Sequence, residues 1–229
     1  MTKASALVRP DEALHVAGAK RRFVSRGGDK LEAALERFAV DVRGRRCLDA
    51  GASTGGFTDS LLKRGAAHVI AVDVGYGQLA WTLREDPRVT VLERTNVRDL
   101  RRDDVPYRPD LVTADLSFIS LRLAVPVLAT VAAPSAEAIL LVKPQFEAGS
   151  ARVGKGGVVR DPDVWVDAVQ SVSEACRDAR WGPLAAIVSP LLGPAGNVEF
   201  FLHARAGEPG VELDLAALAE EGEALRVAS

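Results

Sequence analysis

The sequence predicts an α/β chain: a doubly wound, seven-stranded, mostly parallel sheet whose last strand runs antiparallel. Three observations point to it. Apolar runs of strand length alternate with helical patterns from Arg46 to Arg180. The glycine-rich turn Gly51-Ala52-Ser53-Thr54-Gly55-Gly56 follows the first run directly. Two late runs, Leu184–Val188 and Val198–His203, are joined by Ser189-Pro190-Leu191-Leu192-Gly193-Pro194-Ala195-Gly196, a connection of breakers with no helix in it.

The elements follow in order. Met1 to Ala19 has no clear period and reads as an arm, and Gly28 to Val40 reads as a helix with Leu31, Leu35 and Phe38 on one face. Arg46–Ala50 is a short buried strand and Phe57–Leu62 the helix after it. His68–Asp73 is the second strand, followed by a helix from about Gln78 to Asp86 and a third strand, Val89–Leu92. Asp110–Asp115, a helix over Leu121–Val131 and a strand over Ala138–Val142 come next. Asp161 suits an N-cap and Pro162 a first helical turn, so a helix should run from there to about Arg180. Leu213–Leu225 reads as a terminal helix. The chain divides into an arm and linker over 1–24, one α/β domain over 25–207 and an acidic helix over 208–229.

At 229 residues and 48% apolar content the chain can bury a real core. Cys47 and Cys176 fit no disulfide framework and no metal cluster, which suits a reducing compartment. Met1–Glu12 lacks the apolar stretch of a signal peptide, and no apolar run reaches membrane-spanning length. A soluble, cytoplasmic protein without a membrane partner is the expectation. The net charge of −2 hides an asymmetry: Lys20–Arg46 has nine Lys/Arg against four Asp/Glu, and Ala206–Ser229 has six acids against one Arg. The basic segment is an electrostatic footprint for nucleic acid, or else a solvated helix face.

The chemistry starts at the glycine turn. Its glycines allow a tight turn and close approach of a ligand to bare backbone. Asp73 ends the second strand 22 residues after Gly51, and a carboxylate there can hold both hydroxyls of a ribose. Dinucleotide binding would favour G-x-G-x-x-G, but Gly51-Ala52-Ser53 lacks the second glycine. The same residues satisfy G-x-S-x-G, a hydrolase nucleophile elbow, yet neither His68 nor His203 sits where such a triad needs its base. A turn with no ligand leaves Asp73 without a role. S-adenosylmethionine fits best, having an adenosine but no phosphate to cradle.

Asp115 and Lys143 stand at the carboxyl ends of the fourth and fifth strands, and Glu199 near the start of the last. Lys143 follows Leu140-Leu141-Val142 and precedes Pro144, so its ammonium is left at the rim, partly desolvated. Each residue alone reads more readily as a surface ion pair than as a catalytic group. Together, on the edge that carries the cofactor turn, they can orient and deprotonate an alcohol without a metal.

Six blocks then resemble one family. They are Val24-Ser25-Arg26-Gly27-Gly28-Asp29-Lys30-Leu31, Leu48–Thr58, Asp73–Leu79, Ala114-Asp115-Leu116-Ser117-Phe118-Ile119-Ser120, Leu141-Val142-Lys143-Pro144-Gln145-Phe146-Glu147 and Gly196-Asn197-Val198-Glu199-Phe200-Phe201. Over about residues 21–205 the chain resembles the TlyA family, S-adenosylmethionine-dependent ribosomal RNA 2′-O-methyltransferases of the FtsJ-like class, many labelled haemolysins. The resemblance implies a Rossmann-like class I methyltransferase fold. It implies a catalytic tetrad of Lys30, Asp115, Lys143 and Glu199. It places S-adenosylmethionine against Gly51, Ala52, Ser53, Gly55, Gly56 and Phe57, with Asp73 and Val74 at the ribose, Asn96 and Val97 near the adenine, and Asp115 beside the methyl-bearing end.

One departure stands out. The family carries an amino-terminal RNA-binding domain of about sixty residues, more than the segment ahead of Arg21 could build. The family's Arg-x-Trp-Val linker is replaced by Arg21-Arg22-Phe23-Val24, with Phe for Trp. The expectation is a methyltransferase domain acting without that module, or a start that lies further upstream. Gly149–Gly156 almost spells a P-loop, but Gly156 replaces the Ser or Thr that would hold magnesium. It reads as a flap or an ordinary loop. RNA contacts are expected from Arg21, Arg22, Arg26, Arg152 and Lys155. The reading is methylation of a ribose 2′-hydroxyl in ribosomal RNA, with no metal. The alternatives are methylation of a small nucleoside-like metabolite, or a haemolysin-type or RNA-binding protein without catalysis.

Overall fold

The computed structural model describes residues 21–228. The expected arm therefore lies outside the described residues, except for its linker end. In chain order the elements are α1 (Arg26–Arg37), β1 (Arg46–Ala50), α2 (Gly56–Lys63), β2 (His68–Val72), α3 (Trp81–Arg84) and β3 (Val89–Leu92). Then come β4 (Leu111–Ala114), α4 (Leu121–Val131), β5 (Glu137–Val142) and α5 (Pro144–Glu147). The chain ends with α6 (Pro162–Asp178), β6 (Trp181–Val188), β7 (Phe200–Ala206) and α7 (Leu215–Ala228).

The seven strands form one sheet in the order β3-β2-β1-β4-β5-β7-β6. The first five pair in parallel, and β7 runs antiparallel to both β5 and β6. The predicted sheet is the observed one. Its strand order reverses between β1 and β4, where open α/β sheets bind ligands beyond the strands' carboxyl ends.

Strand side chains alternate between the two faces. Cys47, Val69, Ala71, Leu111, Ile139, Leu141 and Phe201 are buried under α1 and α2 with Leu31, Leu35, Phe57 and Leu61. Their neighbours Leu48, Ile70, Val72, Val112, Leu140, Phe200 and Leu202 are buried with residues of α4, α6 and α7, among them Leu128, Trp165 and Leu218. Nearly continuous apolar strands are what a sheet covered on both faces requires.

Of the boundaries that differ from expectation, among them the last strand, which is Phe200–Ala206 and not Val198–His203, four have a local cause. The helix after β2 is one turn, Trp81–Arg84, because residues 78–80 lie along the glycine turn instead: Ala80 N–H donates to Thr54 O (3.2 Å), and Leu79 is buried. β6 begins at Trp181 in spite of Pro183. It is an edge strand, where a missing N–H leaves no ladder bond unmade. α1 starts at Arg26, with Gly28 so close beneath Phe23 that any side chain would overlap the ring. α7 starts at Leu215, after Asp214 accepts Ala217 N–H (3.0 Å). Among the described residues no helix is long and apolar enough to cross a membrane.

Candidate active site

The turn leaving β1 is set by two glycines that nothing else can replace without strain. Gly51 has φ +84° and lies so near Asp115 O at the end of β4 that a Cβ would overlap it. Gly55 has φ +97°, and a Cβ there would meet Leu79 and Leu83. Gly51 and Ala52 N–H both donate to Val72 O (2.8 and 3.1 Å), which binds the turn to the end of β2. Gly56 opens α2 against the start of α1, where a Cβ would overlap Ser25 Oγ. Two helix N-termini are thus drawn together beside the turn.

Asp73 follows β2, and both its oxygens are fixed by backbone. Oδ2 accepts Ser53 N–H (2.8 Å) and Oδ1 accepts Gly75 N–H (2.7 Å). It lines a cavity of about 250 Å³ with Gly51, Ser53, Val74, Asn96, Val97 and Asp115. Leu116, Ser117 and Phe118 close its other side.

A second cavity, of about 230 Å³, shares Gly51, Ser53 and Asp115 with the first. Lys30, Asp115, Lys143 and Glu199 all line it, so four residues spread over 169 positions meet in one place. They form two ion pairs. Lys30 Nζ lies 2.5 Å from Glu199 Oε2, with side chains 9% and 1% exposed. Lys143 Nζ pairs with Asp115 Oδ1 and donates to Ser117 Oγ (3.2 Å). Pairing is what lets charges sit at this depth.

Beneath the turn lies a further carboxyl, Asp49. It is wholly buried, accepts Thr58 Oγ–H (2.7 Å) from α2 and Thr113 Oγ–H (3.2 Å) from β4, and is pushed up to about 7 by burial, with Asp115 adding to the rise. It ties α2 and β4 to β1 directly under the glycine turn. Glu147, just after Lys143, accepts Ser120 Oγ–H and Leu121 N–H (2.8 Å) at the start of α4, and burial raises its pKa.

Not every expected residue lies in these cavities. Gly51, Ala52, Ser53, Gly56 and Phe57 do, whereas Gly55 faces Leu79 and Leu83 and shapes the turn from behind. Arg26 lines the tetrad cavity and Arg21 is exposed. Arg22 is paired with Glu32 and lies over the Phe23 ring (4.9 Å), its side chain still 63% exposed. Arg152 and Lys155 lie on the loop after α5, outside both cavities, with Arg152 2.5 Å from Asp167. The motif reading passed over Ser117, Phe118 and Asn197. All three lie inside the blocks quoted above, next to residues it did choose.

The cavities suit S-adenosylmethionine. Asp73 is an anchored carboxylate of the kind a ribose diol can bind, Val74 and Val97 offer apolar contact, and the two cavities meet at a shared rim of Gly51, Ser53 and Asp115, which leaves room for an elongated ligand. The FtsJ-like methyltransferase family matches residues 23–206. The chain belongs to this family, on its TlyA branch. S-Adenosylmethionine is therefore the methyl donor of this methyltransferase. Its relatives include the 16S/23S rRNA (cytidine-2′-O)-methyltransferase TlyA of Mycobacterium tuberculosis, 57% identical over 190 residues, 83% of this chain and 71% of that protein. The 23S rRNA (cytidine-2′-O)-methyltransferase TlyA of Campylobacter jejuni is 35% identical over 182 residues, 79% and 70% of the two chains. A solved structure named as a hemolysin from Lactococcus lactis superposes with a TM-score of 0.86 at 41% identity, covering 89% of this methyltransferase and 100% of that chain.

Proposed function

We propose that this methyltransferase modifies a ribose 2′-hydroxyl of ribosomal RNA, and so works in the cytoplasm. The observation behind this reading is the convergence of Lys30, Asp115, Lys143 and Glu199 on one cavity that adjoins the cofactor cavity. A ribose hydroxyl is a weak acid, and it must be aligned and relieved of its proton as it reacts. When bound, S-adenosylmethionine supplies an electrophilic methyl group. The chain supplies the rest. Asp115 and Ser117 hold Lys143 Nζ at the rim, where it orients the hydroxyl and assists removal of its proton. The Lys30–Glu199 pair builds the facing wall and fixes the local charge. Most of the acceleration comes from this alignment and from charges already in place.

The RNA substrate has support from the relatives' names and from Phe118. That side chain is 92% exposed, its backbone is held at φ +64°, and its ring lies 5.2 Å from Phe146. A free aromatic face at the mouth of the cofactor cavity suits stacking by a nucleobase. Arg21 and Arg26, both exposed, stand ready for phosphates on the α1 side.

The test is transfer of labelled methyl from S-adenosylmethionine to ribosomal subunits, naked rRNA and free nucleosides, followed by nuclease mapping. The label should appear on a ribose of rRNA. Label on a base, or on nucleosides alone, would overturn the reading.

A further inference from the structure

We propose that Asn197 is a positioning residue that couples the basic flap, residues 149–160, to the Lys30–Glu199 pair. The role rests on the RNA reading above, since it makes phosphate contact at the flap felt in the tetrad.

The flap presents Arg152, Lys155 and Arg160 to solvent, and of its residues Val159 is the one fully buried. One side-chain amide holds its buried end from both directions. Asn197, 2% exposed, accepts Val159 N–H through Oδ1 (2.9 Å) and donates Nδ2–H to Gly157 O (2.9 Å). Both halves of the amide are spent on the flap, one on each side of Val158. A second tether, Trp165 Nε1–H to Val159 O (3.1 Å), ties the flap to α6.

Asn197 is also built into the segment that aims Glu199. Its own carbonyl accepts Gly193 N–H (2.8 Å), and the carbonyl of Glu199 accepts Ser189 N–H (2.8 Å). Gly193 lies directly against the Glu199 carboxylate, where a Cβ would fall 2.5 Å from Oε1. The loop 189–197 therefore has little room to shift without moving that carboxylate, which in turn holds Lys30. A load on the flap reaches Glu199 through two hydrogen bonds and two residues of chain. An amide is the group the position needs. A carboxylate would face Gly157 O without a proton to give, and alanine would leave the buried Val159 N–H and the part-buried Gly157 carbonyl without this partner.

Single-turnover methylation of ribosomal subunits at saturating S-adenosylmethionine tests the coupling. Asn197→Ala should lower the maximal rate by about tenfold, while cofactor affinity changes less than about twofold. Arg152→Gln with Lys155→Gln should raise the half-saturating subunit concentration and also lower the maximal rate. Added to Asn197→Ala, the flap changes should lower the maximal rate no further. Independent, multiplying effects on the maximal rate would overturn the proposal, as would a wild-type maximal rate in Asn197→Ala. If Asn197→Ala fails to fold, Asn197→Asp keeps the acceptor for Val159 N–H and should show the same loss of rate. Hydrogen exchange tests the link without RNA. Asn197→Asp should speed exchange at the Ser189 and Gly193 amides as well as in the flap; acceleration in the flap alone would sink the coupling. A wild-type protein that methylates no RNA defeats the functional reading but leaves that exchange result to decide on Asn197.

Discussion

Lys143 Nζ has two partners of different kinds, the Asp115 carboxylate and the Ser117 hydroxyl, and it faces a cavity that Asp73 does not line. Lys143→Ala should therefore cut methyl transfer by about 10²–10⁴ while leaving S-adenosylmethionine bound. Single-turnover rates and calorimetry on the same preparation check both halves; transfer at near wild-type rate would remove Lys143 from the mechanism. Asp73→Ala should do the reverse. Two charge-assisted hydrogen bonds to a ribose, at about 1.5–3 kcal/mol, imply at least about a tenfold loss of cofactor affinity. Unchanged affinity would show that the ribose lies elsewhere, since the backbone amides of Ser53 and Gly75 would be left unpaired by the same change. These residues were legible in the sequence because strand ends in a parallel sheet all open onto one edge. Asn197 was not, because its partners Gly157 and Val159 are some forty positions away in a loop without periodicity. Ser117 escaped for a similar reason: one serine beside an acid and a phenylalanine has no pattern until Lys143 is brought against it.

At the scale of elements, the strands and long helices followed from apolar period, and the failures lie where tertiary contact overrides it. Gln78–Asp86 has helical composition, but residues 78–80 are drawn out to the glycine turn, where Leu79 and Leu83 fill the space a side chain on Gly55 would need. The turn itself can be tested by comparing two glycines. Gly44 has φ +72° and nothing within 4 Å of the place a methyl group would take, so Gly44→Ala bears backbone strain alone, about 1 kcal/mol. Gly51 combines φ +84° with overlap on the backbone oxygen of Asp115, which no rotamer change relieves. Gly51→Ala should cost about 1–3 kcal/mol beyond Gly44→Ala in urea unfolding, and should weaken S-adenosylmethionine binding, since β1 and β4 must part where both cavities meet. Equal losses for the two variants would mean that the turn has slack at its tightest point.

Across the whole molecule, the two edges of the parallel strands do different work. The carboxyl edge holds the cavities, and the opposite edge holds a knot of charge centred on Glu137, the first residue of β5. Glu137 accepts from His203 Nε2 (2.8 Å) and Arg45 Nη1 (2.9 Å), with Arg205 Nη2 at 3.3 Å, and Arg45 continues to Asp110 (3.1 Å). The knot joins the strand β5 to the chain entering β1 and to the antiparallel β7. The hydrogen bond from His203, aided by the Arg45 and Arg205 charges, brings the Glu137 carboxyl down to about 2. The sign of the linkage follows. Between about pH 2 and the usual carboxylate range the unfolded chain binds a proton that the folded chain does not. The stabilisation is therefore complete at neutral pH and is lost as pH falls through 4.5 toward about 2. Glu137→Gln should lower stability at pH 7 by about 1–3 kcal/mol, partial exposure having weakened the pair, and should flatten the fall in stability below pH 4.5. Denaturant titrations of both proteins from pH 7 to pH 3 measure this directly. S-Adenosylmethionine affinity at pH 7 should stay unchanged, because no group of the knot lines either cavity. A parallel loss of affinity would show that the two edges of the sheet are coupled through the strands, and that what looks like a fastening at the far edge also sets the shape of the active one.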